Sequence, residues 1–180
     1  VYWRGAVDIR VERVSIAEDI RVPADLAAQL VRPRSSSPLF GRLNDVLHAA
    51  EVADSHVGLL YVDGALRETL SPRLHAFWHF NRHIKMDLVD LRMQAMEVQG
   101  QEILTKDKVS LRINLSASYR VTDPAKARRE LGNYADFLYR ALQFGLRQAV
   151  GTRTLDTLLA DKGELDRAVF DYAVEQSAPF

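Results

Sequence analysis

The sequence predicts an α+β fold: a small, antiparallel, twisted sheet followed by helices. Three observations carry this. Val109, Leu111, Ile113, Leu115, Ala117, Tyr119 and Val121 hold every odd position, while Ser110, Arg112, Asn114, Ser116, Ser118 and Arg120 hold the even ones. A period of two marks a strand with one face on a core and the other in water, the habit of antiparallel sheets. Asp63-Gly64, set between two apolar runs, is a hairpin turn signal. After Thr122-Asp123-Pro124 the period lengthens to that of a helix and stays there. Strands first and helices second is the α+β order.

The elements follow along the chain. In VDIRVERVSI (7–16), Val7, Ile9 and Val11 alternate with charges before the phase shifts to Val14 and Ile16. That is a half-buried strand with a bulge near Glu12-Arg13. Pro23-Ala24-Asp25 opens a short apolar helix, Leu26 to Val31. Arg32 to Pro38 has a linker's composition. Leu43, Val46, Leu47 and Ala50 fall at helical spacing and predict an amphipathic helix over 40–53. Strands are expected at Val57–Val62 and Ala65–Leu70, ended by Ser71-Pro72, then an aromatic-rich loop from His75 to Asn81. Arg82–Leu91 and Met93–Leu104 read as extended, and Thr105-Lys106-Asp107 as a turn. Asp123 caps a helix with Pro124 in its first turn. Tyr134, Phe137, Leu138, Ala141, Leu142 and Gly145 form a helical stripe, which Gly151 ends. Thr154 caps Leu155–Ala160, and a last helix runs from about Gly163 to Gln176.

A weak internal repeat is visible. VYWRGAVDIRVERVSI (1–16) lies without a gap on AFWHFNRHIKMDLVDL (76–91), matching Trp3 with Trp78 and Ile9 with Ile84. Residues 1–32 are therefore expected to be the tail of a degenerate first copy, 33–53 a linker and amphipathic helix, and 54–180 the main domain. Because the chain opens on Val1 and closes on Ala178-Pro179-Phe180 directly after a helical pattern, it is read as part of a longer protein.

Composition excludes several classes of function. The 24 basic residues balance the 24 acidic ones, unlike the basic excess of a general nucleic-acid binder or of a segment held to anionic lipid by charge. The sequence has no cysteine, so disulfides, thiolate catalysis and cysteine-ligated zinc are out. No apolar run approaches the roughly 18 residues of a spanning helix. His75, His79 and His83 stand four apart, but in a loop-then-strand context that spacing does not converge, and no carboxylate stands among them. No Gly-x-Ser-x-Gly elbow and no phosphate-binding glycine loop occurs. No catalytic, cofactor or metal site is expected. One stretch is unusual: Ala76-Phe77-Trp78-His79-Phe80 precedes Arg82, His83 and Lys85. Aromatic rings beside basic groups suit a membrane interface; equally, the rings can plug the core and close the small sheet.

Residues 57–171 resemble the SPFH domain, also called Band 7 or prohibitin-homology domain, in the form found in stomatin-like bacterial slipins. GLLYVDGALRETLSP (58–72) is similar to the family's opening hairpin, and HIKMDLVDLRMQAMEVQGQEILTKDKVSLRINLSASYRVTDPAKA (83–127) to its central block. QEILTKDKV (101–109) is the most specific part, and LRQAVGTRTLDTLLADKGELD (146–166) resembles the helical block that follows. Ser71-Pro72-Arg73 departs from the family's frequent Gly-Pro-Gly, and the apolar hairpin that precedes the domain in stomatins is not found among these residues. Residues 1–53 resemble an N-terminal extension of some bacterial slipins. The family's last strand and long helical segment are expected beyond Phe180.

The resemblance implies a membrane-associated scaffold and not an enzyme. Such proteins form large homo-oligomers, organise membrane microdomains and regulate neighbouring proteins, with an NfeD-type membrane serine protease as the implied partner and the cytoplasmic face as the implied location. On that reading Phe77, Trp78 and Phe80 seat on membrane lipid with Arg82 and Lys85 near the headgroups. The helices offer protomer contacts through Tyr134, Phe137, Phe144, Leu155 and Leu158. The competing reading is a soluble protease-accessory or peptide-binding module that accepts an added strand at a sheet edge.

Overall fold

The computed structural model describes residues 19–31 and 46–180. The expected strand at 7–16, the linker at 32–38 and the first copy of the repeat lie outside the described residues. Twelve elements follow one another: α1 (Ala24–Val31), β1 (Leu47–Val52), β2 (His56–Val62), β3 (Ala65–Leu70), β4 (Arg73–Trp78), β5 (Ile84–Asp90), β6 (Gln94–Leu104) and β7 (Ser110–Tyr119), then α2 (Pro124–Glu130), α3 (Tyr134–Gly151), α4 (Leu155–Ala160) and α5 (Lys162–Ser177). The class is α+β. Among the described residues every strand pair is antiparallel, and the strands form three hydrogen-bonded sheets: β1-β4, β3-β2-β5 and β6-β7.

Two local expectations are corrected. The predicted helix at 40–53 is strand β1 from Leu47 onward, paired along its length with β4. The predicted loop at 75–81 is strand as far as Trp78. β4 is a central strand. β1 lies on one edge, and Val22 N–H donates to the Ala76 carbonyl (2.9 Å) and Trp78 N–H to the Ile20 carbonyl (2.7 Å) on the other. Both of its faces are covered. Ala76 packs with Val22 and Ala27 of the α1 side, joined by Leu74 and Trp78. Phe77 packs with Ile20, Val52, Leu60, Val62 and Leu70.

The hairpin at Asp63-Gly64 forms as expected. Both residues have positive φ, 52° and 85°, which a tight turn matched to strand twist requires. Leu59 and Leu60 of β2 are fully buried; burying each such side chain stabilises by about 1.5–3 kcal/mol. Further on, β6 carries an irregularity between Val98 and Gln101. There Gly100 takes φ 64° and its N–H donates to the Asn114 side chain at 2.7 Å.

The helices are capped by side-chain oxygens, Asp123 for α2, Asn133 for α3, Thr154 for α4 and Asp161 for α5. α3 lays Leu142, Leu146, Ala149 and Val150 on Val98 and Ile103 of β6, and α5 adds Val169 and Ala173. α3 and α5 approach closely where Gly145 meets Tyr172; a Cβ at 145 would stand 2.9 Å from the ring.

A short connection, Asp90 to Met93, joins β5 to β6 and so the sheet of β3-β2-β5 to that of β6-β7. Asp90 accepts from the Arg92 backbone at 2.9 Å and from its guanidinium at 2.6 Å. These bonds from Arg92 hold the Asp90 carboxyl at about 2. The folded-state pKa is depressed, so this contribution to stability is present above the ordinary carboxylate pKa and is lost as pH falls through the folded one. An NMR titration should place the Asp90 midpoint near 2 and return it to the ordinary range in Arg92→Gln; an ordinary midpoint in the parent chain would contradict the pairing.

Candidate functional site

β4 delivers the aromatic cluster in alternation, which divides its members. Phe77 points into the core at 1% exposure. It is corrected from membrane contact to core residue, because alternate side chains of a strand face opposite ways. Trp78 is half-buried on the α1 side, and its ring stacks on Phe80 with centroids 6.0 Å apart. Its indole N–H is buried and finds no acceptor among the described residues. Phe80 is 44% exposed. So the core-plug reading describes Phe77, while Phe80 stands at the surface.

The tip that carries Phe80 is braced. His79 N–H donates to the Val46 carbonyl (3.0 Å), and Arg82 N–H to the His79 carbonyl (3.2 Å). Asp63 N–H donates to the His83 carbonyl (2.8 Å), and the Asp63 carboxylate accepts from His83 N–H at 2.9 Å. The two turns are thereby tied together. Arg82 is exposed. Lys85 is exposed but engaged: its ammonium sits 5.7 Å from the Tyr61 ring centroid and 3.0 Å from Asp87. Burial, then the neighbouring His79, holds the His48 imidazole below the ordinary histidine range.

The helical candidates also divide. Leu158 is 6% exposed and belongs to the core of α3, α5 and β6; it is corrected from contact to core residue. Tyr134 and Phe137 are half-buried and line one groove with Tyr119, Leu138 and Phe180. The Arg128 guanidinium lies over Tyr134, and Phe180 meets Phe137 edge-on at 5.2 Å. Phe144 is 54% exposed and does not line that groove. Leu155 is half-buried at the start of α4.

Sequence reading missed Phe170 and Val174 of α5, exposed at 65% and 49%. Their signal was present. Val169 and Ala173 already supply the core stripe, so Phe170 and Val174 form a second apolar stripe one residue on. It also missed what 101–109 does. Thr105 Oγ1 donates to Asp107 Oδ1 at 2.6 Å, and Asp107 accepts from Leu155 N–H at 3.2 Å. Lys106 N–H donates to the Arg153 carbonyl at 2.8 Å. The turn therefore clamps the β6–β7 hairpin to the start of α4. The Thr105 hydroxyl and backbone donors hold the Asp107 carboxyl below its usual range.

Among the described residues, no group of histidine, aspartate or glutamate could hold a metal, and no helix is long and apolar enough to cross a membrane. The division of the aromatic cluster is testable. Phe77→Ala should cost about 3–5 kcal/mol, as a large buried ring does. Phe80→Ser, which loses the stack on Trp78 but no core contact, should cost no more than about 1.5 kcal/mol. Urea unfolding of both measures this, and equal losses would contradict the burial assignment.

Comparison with known proteins agrees with this architecture. A profile of the SPFH domain / Band 7 family matches residues 50–180. A stomatin homologue of Pyrococcus horikoshii is 39% identical over 82 residues, 46% of this chain and 31% of the relative. An uncharacterised protein of Archaeoglobus fulgidus is 35% identical over 95 residues, 53% of this chain and 38% of the relative. The stomatin of Mus musculus is 37% identical over 78 residues, 43% of this chain and 27% of the relative. The matched region spans about a third of these relatives' length. With the family profile matched from β1 to the end of α5, the chain belongs to the SPFH domain / Band 7 family.

Proposed function

We propose that this chain is a stomatin-type, membrane-associated scaffold domain. It assembles with copies of itself, organises membrane microdomains and regulates partner membrane proteins, an NfeD-type membrane serine protease among them, at the cytoplasmic face. Family membership over 50–180 carries the reading. The exposed Phe80, stacked on Trp78 beside Arg82, gives it a physical means.

The mechanism is apolar insertion at a braced tip. Phe80 and the exposed part of Trp78 enter the interface, where aromatic rings sit at headgroup depth. Arg82 meets lipid phosphate there. Lys85 contributes less, because Tyr61 and Asp87 already engage its ammonium. Balanced net charge leaves little general attraction to anionic lipid. Phe144, Tyr134, Phe137 and Leu155 remain the proposed contacts between copies. No catalytic residue, cofactor or metal is assigned.

Liposome flotation at physiological salt tests this. The parent chain should float, and Trp78→Ser/Phe80→Ser should stay behind. Phe80→Glu, which changes only an exposed side chain, should also stay behind with an unchanged circular dichroism spectrum. Flotation of both variants would refute seating by this tip. If the parent chain itself stays behind, these residues are a partner-binding surface without direct lipid contact.

A further inference from the structure

Three of the chain's five histidines stand at the end of the first two sheets that carries Phe80. His79 follows β4 directly, and its N–H bond to the Val46 carbonyl (3.0 Å) carries the β1–β4 ladder one step further. His48 lies opposite Phe77 in that ladder. Leu47 and Ala49 pack toward α1, so alternation turns His48 to the other side, with Phe77 and Val52. His83 directly precedes β5, and its backbone is bonded to Asp63 in both directions. The other two histidines are placed elsewhere. His56 pairs with Asp90, roughly 20 Å along β5 from the tip end at Ile84. His75 is buried, and its Nε2 donates to the Ser71 carbonyl at 2.7 Å.

The fixed charges of this tip cancel. Among the described residues, Arg82 and Lys85 stand against Asp63 and Asp87. Lys85 and Asp87 pair with each other at 3.0 Å, and Lys85 lies over Tyr61, on the face of the β2–β5 pair opposite to Leu60 and Met86. The Asp63 carboxylate accepts from His83 N–H. The surface that His48 faces across the core is apolar, made of Leu60, Val62, Leu70, Ile84 and Met86. Glu51 of β1 alternates to the α1 side with Ala49. The charge that can change at the tip near neutral pH is therefore that of the three imidazoles. Burial and the neighbouring His79 hold His48 below the ordinary histidine range.

We propose that His48, His79 and His83 make attachment to an anionic membrane surface dependent on pH: neutral, they leave the tip to its apolar seating, and protonated, they add up to three positive charges behind it. The proposal rests on the lipid seating by Trp78 and Phe80 proposed above. Phe80 at headgroup depth brings His79, one residue before it, and His83, three residues after it, to the lipid surface. His48 stands two strand steps behind the Val46–His79 contact, roughly 7 Å, which is still within the Debye length of about 8 Å at physiological salt. A basic group near an anionic leaflet strengthens binding by about fivefold. Because the fixed charges cancel, each proton counts in full.

The test is vesicle binding of the 180-residue chain at physiological salt, at pH 7.5 and pH 5.5. One set of vesicles is phosphatidylcholine, and the other contains phosphatidylglycerol. On the anionic vesicles binding should tighten by about tenfold at the lower pH; on phosphatidylcholine it should not. His48→Gln/His79→Gln/His83→Gln should lose this gain, and His56→Gln should keep it. His83→Lys places a permanent charge at an exposed position where the fold survives, and at pH 7.5 it should bind anionic vesicles about fivefold more tightly than the parent chain. If the parent binds anionic vesicles equally at both pH values, or gains as much on phosphatidylcholine, this inference fails and the apolar seating stands. It also fails if the triple variant keeps the gain or His83→Lys binds no better than the parent. If the parent binds neither vesicle at either pH, the seating itself fails, and this inference with it.

Discussion

The turn at 105–109 fixes how the two layers of the second half meet. A two-stranded hairpin is marginal on its own, and its packing on helices needs a fixed angle and register. Asp107, held by the Thr105 hydroxyl, and the Lys106 backbone supply both by bonding to Leu155 and Arg153 at the α3–α4 junction. With that junction held, α3 settles on β6 through Leu142, Leu146 and Val150, and α5 follows α3 past Gly145. The segment QEILTKDKV (101–109) contains this turn.

The first half has a different logic. β4 is enclosed on both faces and bonded on both edges, so it acts as the rigid stem of the tip that follows it. Phe77 holds the stem in the core while Phe80, three residues on, is left in solvent. The tie between Asp63 and His83 links that tip to the β2–β3 turn. An aromatic presented from a braced tip loses less conformational entropy on binding than one on a loose loop. This arrangement supports the contact role proposed above for a member of the SPFH domain / Band 7 family.

Much of the fold was legible where local rules and burial agree. The alternation of 109–121, the Asp63-Gly64 turn and the caps Asp123 and Thr154 each rest on neighbouring residues alone. The misreadings arose where tertiary contacts override local pattern. Leu43, Val46, Leu47 and Ala50 imitate a helix face, but 47–52 is held as a strand by β4. His75-Ala76-Phe77 is buried without alternation, the mark of a strand covered on both faces, and Pro72 disguised it as a loop. Because the stretch was read as a loop, its aromatic residues could not be sorted into core and surface; the strand's two-sidedness sorts them at once. Leu158 was misplaced for a related reason, since a six-residue helix shows too little of its period to tell inner from outer face.

The central claim is that the Trp78–Phe80 tip meets lipid. The sequence has two tryptophans, so a Trp3→Phe variant reports on Trp78 alone. Its fluorescence can be followed on vesicles whose acyl chains carry bromine, a short-range quencher. The account predicts quenching when bromine is placed near the headgroups and less when it lies deep in the chains. Vesicle-bound protein whose Trp78 emission is untouched by bromine at any depth would contradict it.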